Sequence, residues 1–329
     1  MQDCLSEILS KNKKNKVHVF SDLESENIQD GLLNKKHLHC DLIVIGGGGI
    51  INKNFWVFKD GGIDDLISSW KETIFLNVNV YPDILKNEEF ILKLKSLNSQ
   101  WWVRDSESHK ILKSIGIDSV VMPDIAFYKT KSVIKNNKEK KLIFFPNYYA
   151  FFNAFSDSSV HDWIVAQRNF SVLANYFNHL IERGWDITIS FSQHGEIDDR
   201  IIGAMILAQI KDKSKVTWDI IPTSWEEKIK LIQKHDVVLS MRYHTTLISV
   251  INRIPCIDIV HHDKNKYFWK DLQFFNKDLN MYTIDNQKLF EMTNSFDNFS
   301  GYLSKIDDYC TRSTKKWVEF EKILNEKMK

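Results

Sequence analysis

The sequence predicts an α/β protein built as two domains, with the site expected in a cleft between them. Three observations carry this. Short apolar runs alternate with helical periodicity along the whole chain. At 329 residues the chain is longer than one hydrophobic core usually serves. A polar, Lys/Asn-rich stretch over 129–141 without apolar period breaks it near the middle. The expected layout is an N-terminal domain over 1–133, a C-terminal domain over 141–285, and a helical extension over 286–329.

In chain order, 3–11 reads as a short helix, 11–16 as a solvated turn, and 17–20 as a strand followed by Asp22. The run Leu42-Ile43-Val44-Ile45 reads as a buried strand that exits into Gly46, Gly47, Gly48 and Gly49. Four residues without Cβ let a phosphate or sugar approach backbone amides closely, although tight packing explains glycines equally well. Neither a Walker loop nor a dinucleotide fingerprint surrounds them. Gly61-Gly62 reads as a loop with Asp64 as a helix cap, and 74–80 as a strand stopped by Tyr81-Pro82.

A third strand, 101–103, leads into Arg104. Ser106 is the expected cap and Gly116 the stop of a helix burying Ile111, Leu112 and Ile115. Arg104 thereby sits at a strand exit, either as a ligand contact or in an ion pair with Asp105 or Glu107. Residues 120–124 close the first domain and place Asp124 at a strand end facing the cleft.

The second domain opens with a strand over 142–145 and an aromatic, polar loop over 146–162. A helix over 171–183 buries Val172, Leu173, Tyr176, Phe177 and Leu180, and Gly184 ends it. A strand over 186–191 exits into a loop containing His194. Residues 198–210 form a helix, and Thr223-x-x-Glu226 is a capping box opening the next, which runs to 235. The strand 237–239, the helix 245–252 and the strand 256–260 then form a strand, helix, strand unit. The last long helix covers 307–329, with Tyr309, Trp317, Phe320 and Leu324.

Composition narrows the partners. With 44 basic and 43 acidic residues the net charge is +1, so no broad field recruits nucleic acid or an anionic membrane. Cys4, Cys40, Cys256 and Cys310 lie far apart and make no Cys/His cluster, which argues for reduced thiols in the cytoplasm and against zinc or a disulfide framework. No apolar run reaches the ~18–20 residues of a membrane span, and the first residues lack a signal-peptide layout. Any membrane contact is expected to be peripheral. Aromatic residues make up 12% of the chain, ten of them Trp; they serve core packing or sugar stacking.

The chemistry concentrates in Ser240-Met241-Arg242-Tyr243-His244-Thr245, between a strand and a helix. Cations and hydroxyls there meet a helix N-terminus, where anions are favoured. The bland alternative pairs Arg242 with a carboxylate and satisfies His244 with a carbonyl. The next strand end carries His261, His262, Lys264 and Lys266, and in open α/β sheets ligands sit outside the carboxyl ends of strands. One rim thus receives Arg242, His244, His261 and Lys264.

Taken in order, these segments resemble the polysaccharide pyruvyltransferases: the strand ending in Gly46–Gly49, Val103-Arg104-Asp105 with Ser108 and Leu112, Pro123-Asp124-Ile125-Ala126-Phe127, and above all Ser240-x-Arg242-Tyr243-His244 followed by Pro255 and Lys264. The resemblance implies a fold similar to GT-B glycosyltransferases, with two Rossmann-like domains facing across a cleft and the last helix packing back on the first domain. It implies transfer of a pyruvyl group from phosphoenolpyruvate to two hydroxyls of one sugar in a glycan, giving a cyclic ketal and phosphate. No cofactor or metal is expected beyond phosphoenolpyruvate as co-substrate, and the acceptor, lipid-linked or not, is expected on the first domain. Oligomeric state is not legible.

The family's Arg-x-His segment carries the donor-binding role onto Arg242 and His244. The expected donor site is Arg242, Tyr243, His244, Thr245 and Lys264, with Arg104 reaching from the first domain. His244 is the expected proton donor, since imidazole titrates near neutrality. Asp124 or Asp22 is the expected base. Gly46–Gly49, Asp22 and His194 complete the acceptor or phosphate side. The family's opening strand and Gly-Asp turn are reduced here to Met1-Gln2-Asp3, so the expectation is an abbreviated chain, a substitute segment or altered activity. Two rivals remain: a nucleotide-sugar glycosyltransferase, and a non-catalytic glycan-binding relative.

Overall fold

The computed structural model describes residues 42–51, 62–69, 72–129, 139–151, 160–192, 198–260, 263–273, 279–296 and 300–327. The chain divides into two compact units, Met1–Lys129 with Thr311–Lys329, and Thr130–Cys310.

In the first unit, β1 (Leu42–Ile51), β2 (Glu72–Val80), β3 (Ser99–Val103) and β4 (Val120–Val121) form a parallel sheet in that order. The apolar runs reflect cover on both faces. Phe75, Val103 and Leu112 pack on one side with Ile63 of helix α1 (Gly62–Ser69). Ile74, Leu76 and Trp102 pack on the other with Trp317, Phe320 and Leu324. The latter three, each at most 1% exposed, come from the long C-terminal helix Ser300–Lys327 and contribute about 1.5–3 kcal/mol apiece by burial. That helix therefore packs on the first unit's sheet, as the family resemblance implies, and Trp317 Nε1 donates to the Pro123 carbonyl at 3.2 Å.

Three local expectations are corrected here. The strand expected to end at Ile45 continues through the glycines to Ile51, with Gly46 opposite Leu76 and Gly48 opposite Val78. The parallel ladder to β2 keeps extended a stretch that glycine alone would leave loose. Asp64 lies inside α1 instead of capping it. The cap before the helix Ser106–Ser114 is Asp105, whose carboxylate accepts from the Ser108 amide at 2.7 Å; Gly116, at φ 78°, is the expected stop.

The second unit holds five parallel strands: β5 (Lys141–Phe145), β6 (Asp186–Ser190), β7 (Val216–Ile220), β8 (Val237–Ser240) and β9 (Cys256–Asp258). They lie in the order β7-β6-β5-β8-β9. Strand β7 has no counterpart among the strands expected from sequence. The order reverses at β5, because the chain adds β6 and β7 on one side and then β8 and β9 on the other. This creates a topological switch point between β5 and β8.

Leu142 and Phe144 face Phe170, Leu173 and Phe177 of the helix Val160–Glu182, while Ile143, Phe145 and Val238 face Ile232 and Ile248. That helix starts well before residue 171 because its early polar residues are satisfied internally: Arg168 and Asn169 donate to the carbonyls of Ile284 and Met281. Among the described residues, no helix is long and apolar enough to cross a membrane.

Candidate functional site

The site is built on the carboxyl edge of the second unit's sheet. Strand β8 ends at Ser240, whose hydroxyl accepts from the Arg242 amide and donates to the Arg242 carbonyl, both at 3.0 Å. This clamp sets the turn, and Arg242 becomes the cap residue of helix α2 (Tyr243–Ile251), with no side-chain cap of its own.

The Arg242 guanidinium crosses the switch point. Its Nε donates to the Pro146 carbonyl at 3.3 Å, just past β5, and Asn147 Nδ2 returns a bond to the Met241 carbonyl at 3.3 Å. Its Nη2 donates to both carboxylate oxygens of Asp199, the first residue of the helix Asp199–Leu207. Asp199 is 0% exposed and also accepts from the Tyr148 amide at 2.9 Å. Arg242 thus has the carboxylate partner of the bland alternative, and it holds that partner across the crevice where ligands of open sheets bind.

Tyr243 organises what lies next to it. Its ring meets His244 edge-on at 5.4 Å, and the Lys264 ammonium sits over it, 5.4 Å from the centroid. Lys264 lies in the first turn of the helix Asp263–Asp271, and Trp225 approaches His244 from another side at 6.3 Å. The structure therefore gathers Arg242, Tyr243, His244 and Lys264. Thr245 is fully buried, and its hydroxyl has no partner among the described residues, so it belongs to the interior of α2.

Below this rim lies Asp258, 0% exposed at the end of β9. It accepts from Trp269 Nε1 at 2.8 Å, Asn265 Nδ2 at 2.9 Å and Thr246 Oγ1 at 3.2 Å. Burial outweighs these donors and pushes its carboxyl up to about 6. One buried group thereby ties the helices of His244 and Lys264 to the sheet.

In the first unit, Arg104 and Asp124 are each buried and paired with one another at 3.0 Å. The ion pair expected with Asp105 or Glu107 is made instead with Asp124, whose other oxygen accepts from the Ala126 amide at 3.0 Å. Asp124 is thus the counter-ion of Arg104 and not an open carboxylate at a strand end. Asp22, His194 and His261 lie outside the described residues, as does Asp3. Gly46–Gly49 belong to β1.

The residues missed from sequence are Asp199, Trp225, Lys228 and Asp258. The cap lies one residue later than the sequence pattern places it: Ser224 caps the helix Trp225–Gln233, accepting from the Glu227 amide at 3.1 Å, while the Glu227 carboxylate accepts from Thr223. Trp225 and Lys228 are three apart and share one face of this helix, Trp225 meeting His244 and Lys228 reaching Ser192. A cavity of about 340 Å³ lies at the opposite, amino-terminal edge of the sheet, lined by Lys140, Arg183, Trp185, Asp236 and Phe290, and holds none of these residues. Among the described residues no group of three or more His, Cys, Asp or Glu is placed to hold a metal ion.

The family model for polysaccharide pyruvyl transferases matches residues 3–263, most of the chain and the whole of this rim up to the start of the Lys264 helix. The chain belongs to this family. It is thus a member of a transferase family acting on polysaccharides, and Arg242-Tyr243-His244 is its segment at the switch point. No curated protein compared with the chain matches its sequence.

Solved structures with a similar fold include the UDP-GlcNAc 2-epimerase from Neisseria meningitidis bound to UDP-GlcNAc, at 12% identity and TM-score 0.52, covering 85% of this chain and 76% of that one. The S. aureus MnaA–UDP structure matches at 10% identity and TM-score 0.57, covering 93% and 81%. At such identities the likeness concerns the fold, which is GT-B-like with two parallel-sheet α/β domains.

Proposed function

We propose that this family member transfers a pyruvyl group from phosphoenolpyruvate to two hydroxyls of one sugar in a glycan, forming a cyclic ketal and releasing phosphate. The observation that carries the reading is Arg242 held across the β5/β8 switch point with Tyr243, His244 and Lys264 beside it. Phosphoenolpyruvate bears a carboxylate and a phosphate on a three-carbon frame, so its site needs cations in more than one direction. Arg242 and Lys264 supply them, and the N-terminus of α2 adds partial positive charge.

In this reading His244 delivers a proton to the methylene carbon, making C2 electrophilic. One sugar hydroxyl adds to C2 and releases its proton to solvent, from which the His244 imidazole regains the one it spent. The second hydroxyl then displaces the phosphate, and its proton leaves with hydrogen phosphate, so charge and atoms balance. Asp124 is the counter-ion of Arg104, so the hydroxyl's base is not assigned to it.

The test is incubation with phosphoenolpyruvate and candidate glycans, reading phosphate release together with the mass of the glycan. A glycan gaining a pyruvate ketal supports the proposal. Glycan modification by nucleotide sugars in place of phosphoenolpyruvate would replace it with the glycosyltransferase reading, and no phosphate release with any acceptor would favour a binding role.

A further inference from the structure

We propose that Lys228 is a donor-contacting cation of this site, standing on the opposite side of Arg242 from Lys264. The inference rests on the donor reading above and adds a residue to it.

The helix Trp225–Gln233 turns two side chains to the rim: Trp225 against His244, and Lys228 against Ser192 just beyond β6. Lys228 Nζ donates to the Ser192 hydroxyl at 2.7 Å and lies 5.0 Å from the centroid of the Phe145 ring at the end of β5. The Ser192 amide donates at 3.4 Å to Asp199, the partner of Arg242. Lys228, Ser192, Asp199 and Arg242 therefore form one connected chain spanning the exits of β6 and β8, with β5 between them.

This chain carries two cations against one carboxylate, and the carboxylate is used by Arg242. Among the described residues the hydrogen-bond partner of Lys228 is a neutral hydroxyl. A solvated surface lysine has no need to turn inward beside a guanidinium, since the approach costs hydration and adds like-charge repulsion. Both costs fall when a compact anion occupies the rim, as the phosphate or carboxylate of the donor would.

The electrostatics agree. Loss of hydration, then the Arg242 guanidinium, lower the Lys228 ammonium to about 7, against an upward pull from Asp199. The charged and titratable groups facing it are Arg242 from α2 and Asp199 from its helix. On its own helix Glu227 is exposed and engaged by Thr223. An arriving anion restores the proton, so binding at about pH 8 takes one up.

The experiment is calorimetry of phosphoenolpyruvate, and separately of inorganic phosphate, at about pH 8 in two buffers of different ionisation heat. It compares the unmodified protein with Lys228→Met, Lys228→Arg and Arg242→Ala. Met keeps the length and packing of the stem, and Arg restores the charge without a titrating amine. The expected result is a loss of about ten- to one-hundred-fold in Lys228→Met affinity, the span of one charge-assisted contact, with recovery in Lys228→Arg. Proton uptake is expected in the unmodified protein and reduced in both Lys228 variants. Unchanged affinity and uptake in Lys228→Met, with loss of binding in Arg242→Ala, overturns the Lys228 proposal and leaves the donor reading standing. An unmodified protein that binds neither ligand overturns both.

Discussion

The Nη2 of Arg242 meets both oxygens of Asp199, and Asp199 is completely buried. Removing one partner of such a pair costs about 3–5 kcal/mol because the other charge is stranded. Arg242→Ala is therefore expected to lower stability by roughly 3 kcal/mol and also to abolish phosphoenolpyruvate binding. Adding Asp199→Asn removes the stranded charge, so the double variant should regain much of the stability while still failing to bind. Denaturant melts and calorimetry on the two single variants and the double separate the effects. Phosphoenolpyruvate affinity that returns together with stability would take Arg242 out of the donor site.

His244 is enclosed by rings, with Tyr243 edge-on at 5.4 Å and Trp225 at 6.3 Å. If it delivers the proton to the methylene carbon, its loss should act on turnover more than on binding. His244→Gln is expected to lower kcat by about 100-fold or more and to change donor affinity far less. Turnover equal to the unmodified protein would remove His244 from the acid role.

The rim is legible in the sequence because local pattern writes it. The short apolar run of β8, the break at Ser240 and the helical pattern of α2 put Arg242, Tyr243 and His244 at a strand exit by sequence spacing alone, and β9 does the same for Lys264. What is not legible depends on contacts between distant segments. Asp199 reads as one more acid at a helix start, and its pairing with Arg242 joins residues 43 apart in the chain. Lys228 sits among Glu226, Glu227 and Lys230, which reads as a solvated face; its direction is set by Ser192 and Phe145, which lie far away in the chain. The glycines of β1 read as a loop exit because glycine is permissive, yet the ladder to β2 decides their conformation. Strand β7, just five residues long and following a Lys-rich turn, carries too little period to stand out.

The helix carrying Asp199 is held against the sheet by an absent side chain. A Cβ on Gly203 would lie 2.7 Å from the Phe191 ring and 2.8 Å from the Trp218 ring, which themselves pack edge-to-face at 5.1 Å. Alanine improves intrinsic helix propensity by about 1 kcal/mol, while overpacking costs about 1–3 kcal/mol. The steric cost is the larger at such a distance, so Gly203→Ala should lower Tm. A variant that melts higher would show that the rings yield without loss.

Asp258 makes a prediction in the opposite sense to an ordinary surface carboxylate. Its pKa rises from 3.8 to about 6 because burial penalises the charge more than Asn265, Trp269 and Thr246 support it. In the window between these values the folded chain holds a proton that the unfolded chain has released, so this group's contribution to stability falls as pH rises through it. A rise of that size corresponds to about 3 kcal/mol, fully present as a cost by neutral pH. Asp258→Asn cannot ionise and lacks this dependence, although its amide meets the donors of Asn265 and Trp269 less well and lowers stability at acid pH. The difference between the two proteins should therefore shift by about 3 kcal/mol in favour of the Asp258→Asn variant between roughly pH 4 and pH 7. Denaturant unfolding across that range measures it, and a difference independent of pH would mean that Asp258 ionises in the folded chain as easily as in the unfolded one. Because Asp258 anchors both Thr246 and Asn265, the same variant should weaken phosphoenolpyruvate binding through misplacement of the His244 and Lys264 helices, without touching the ligand itself.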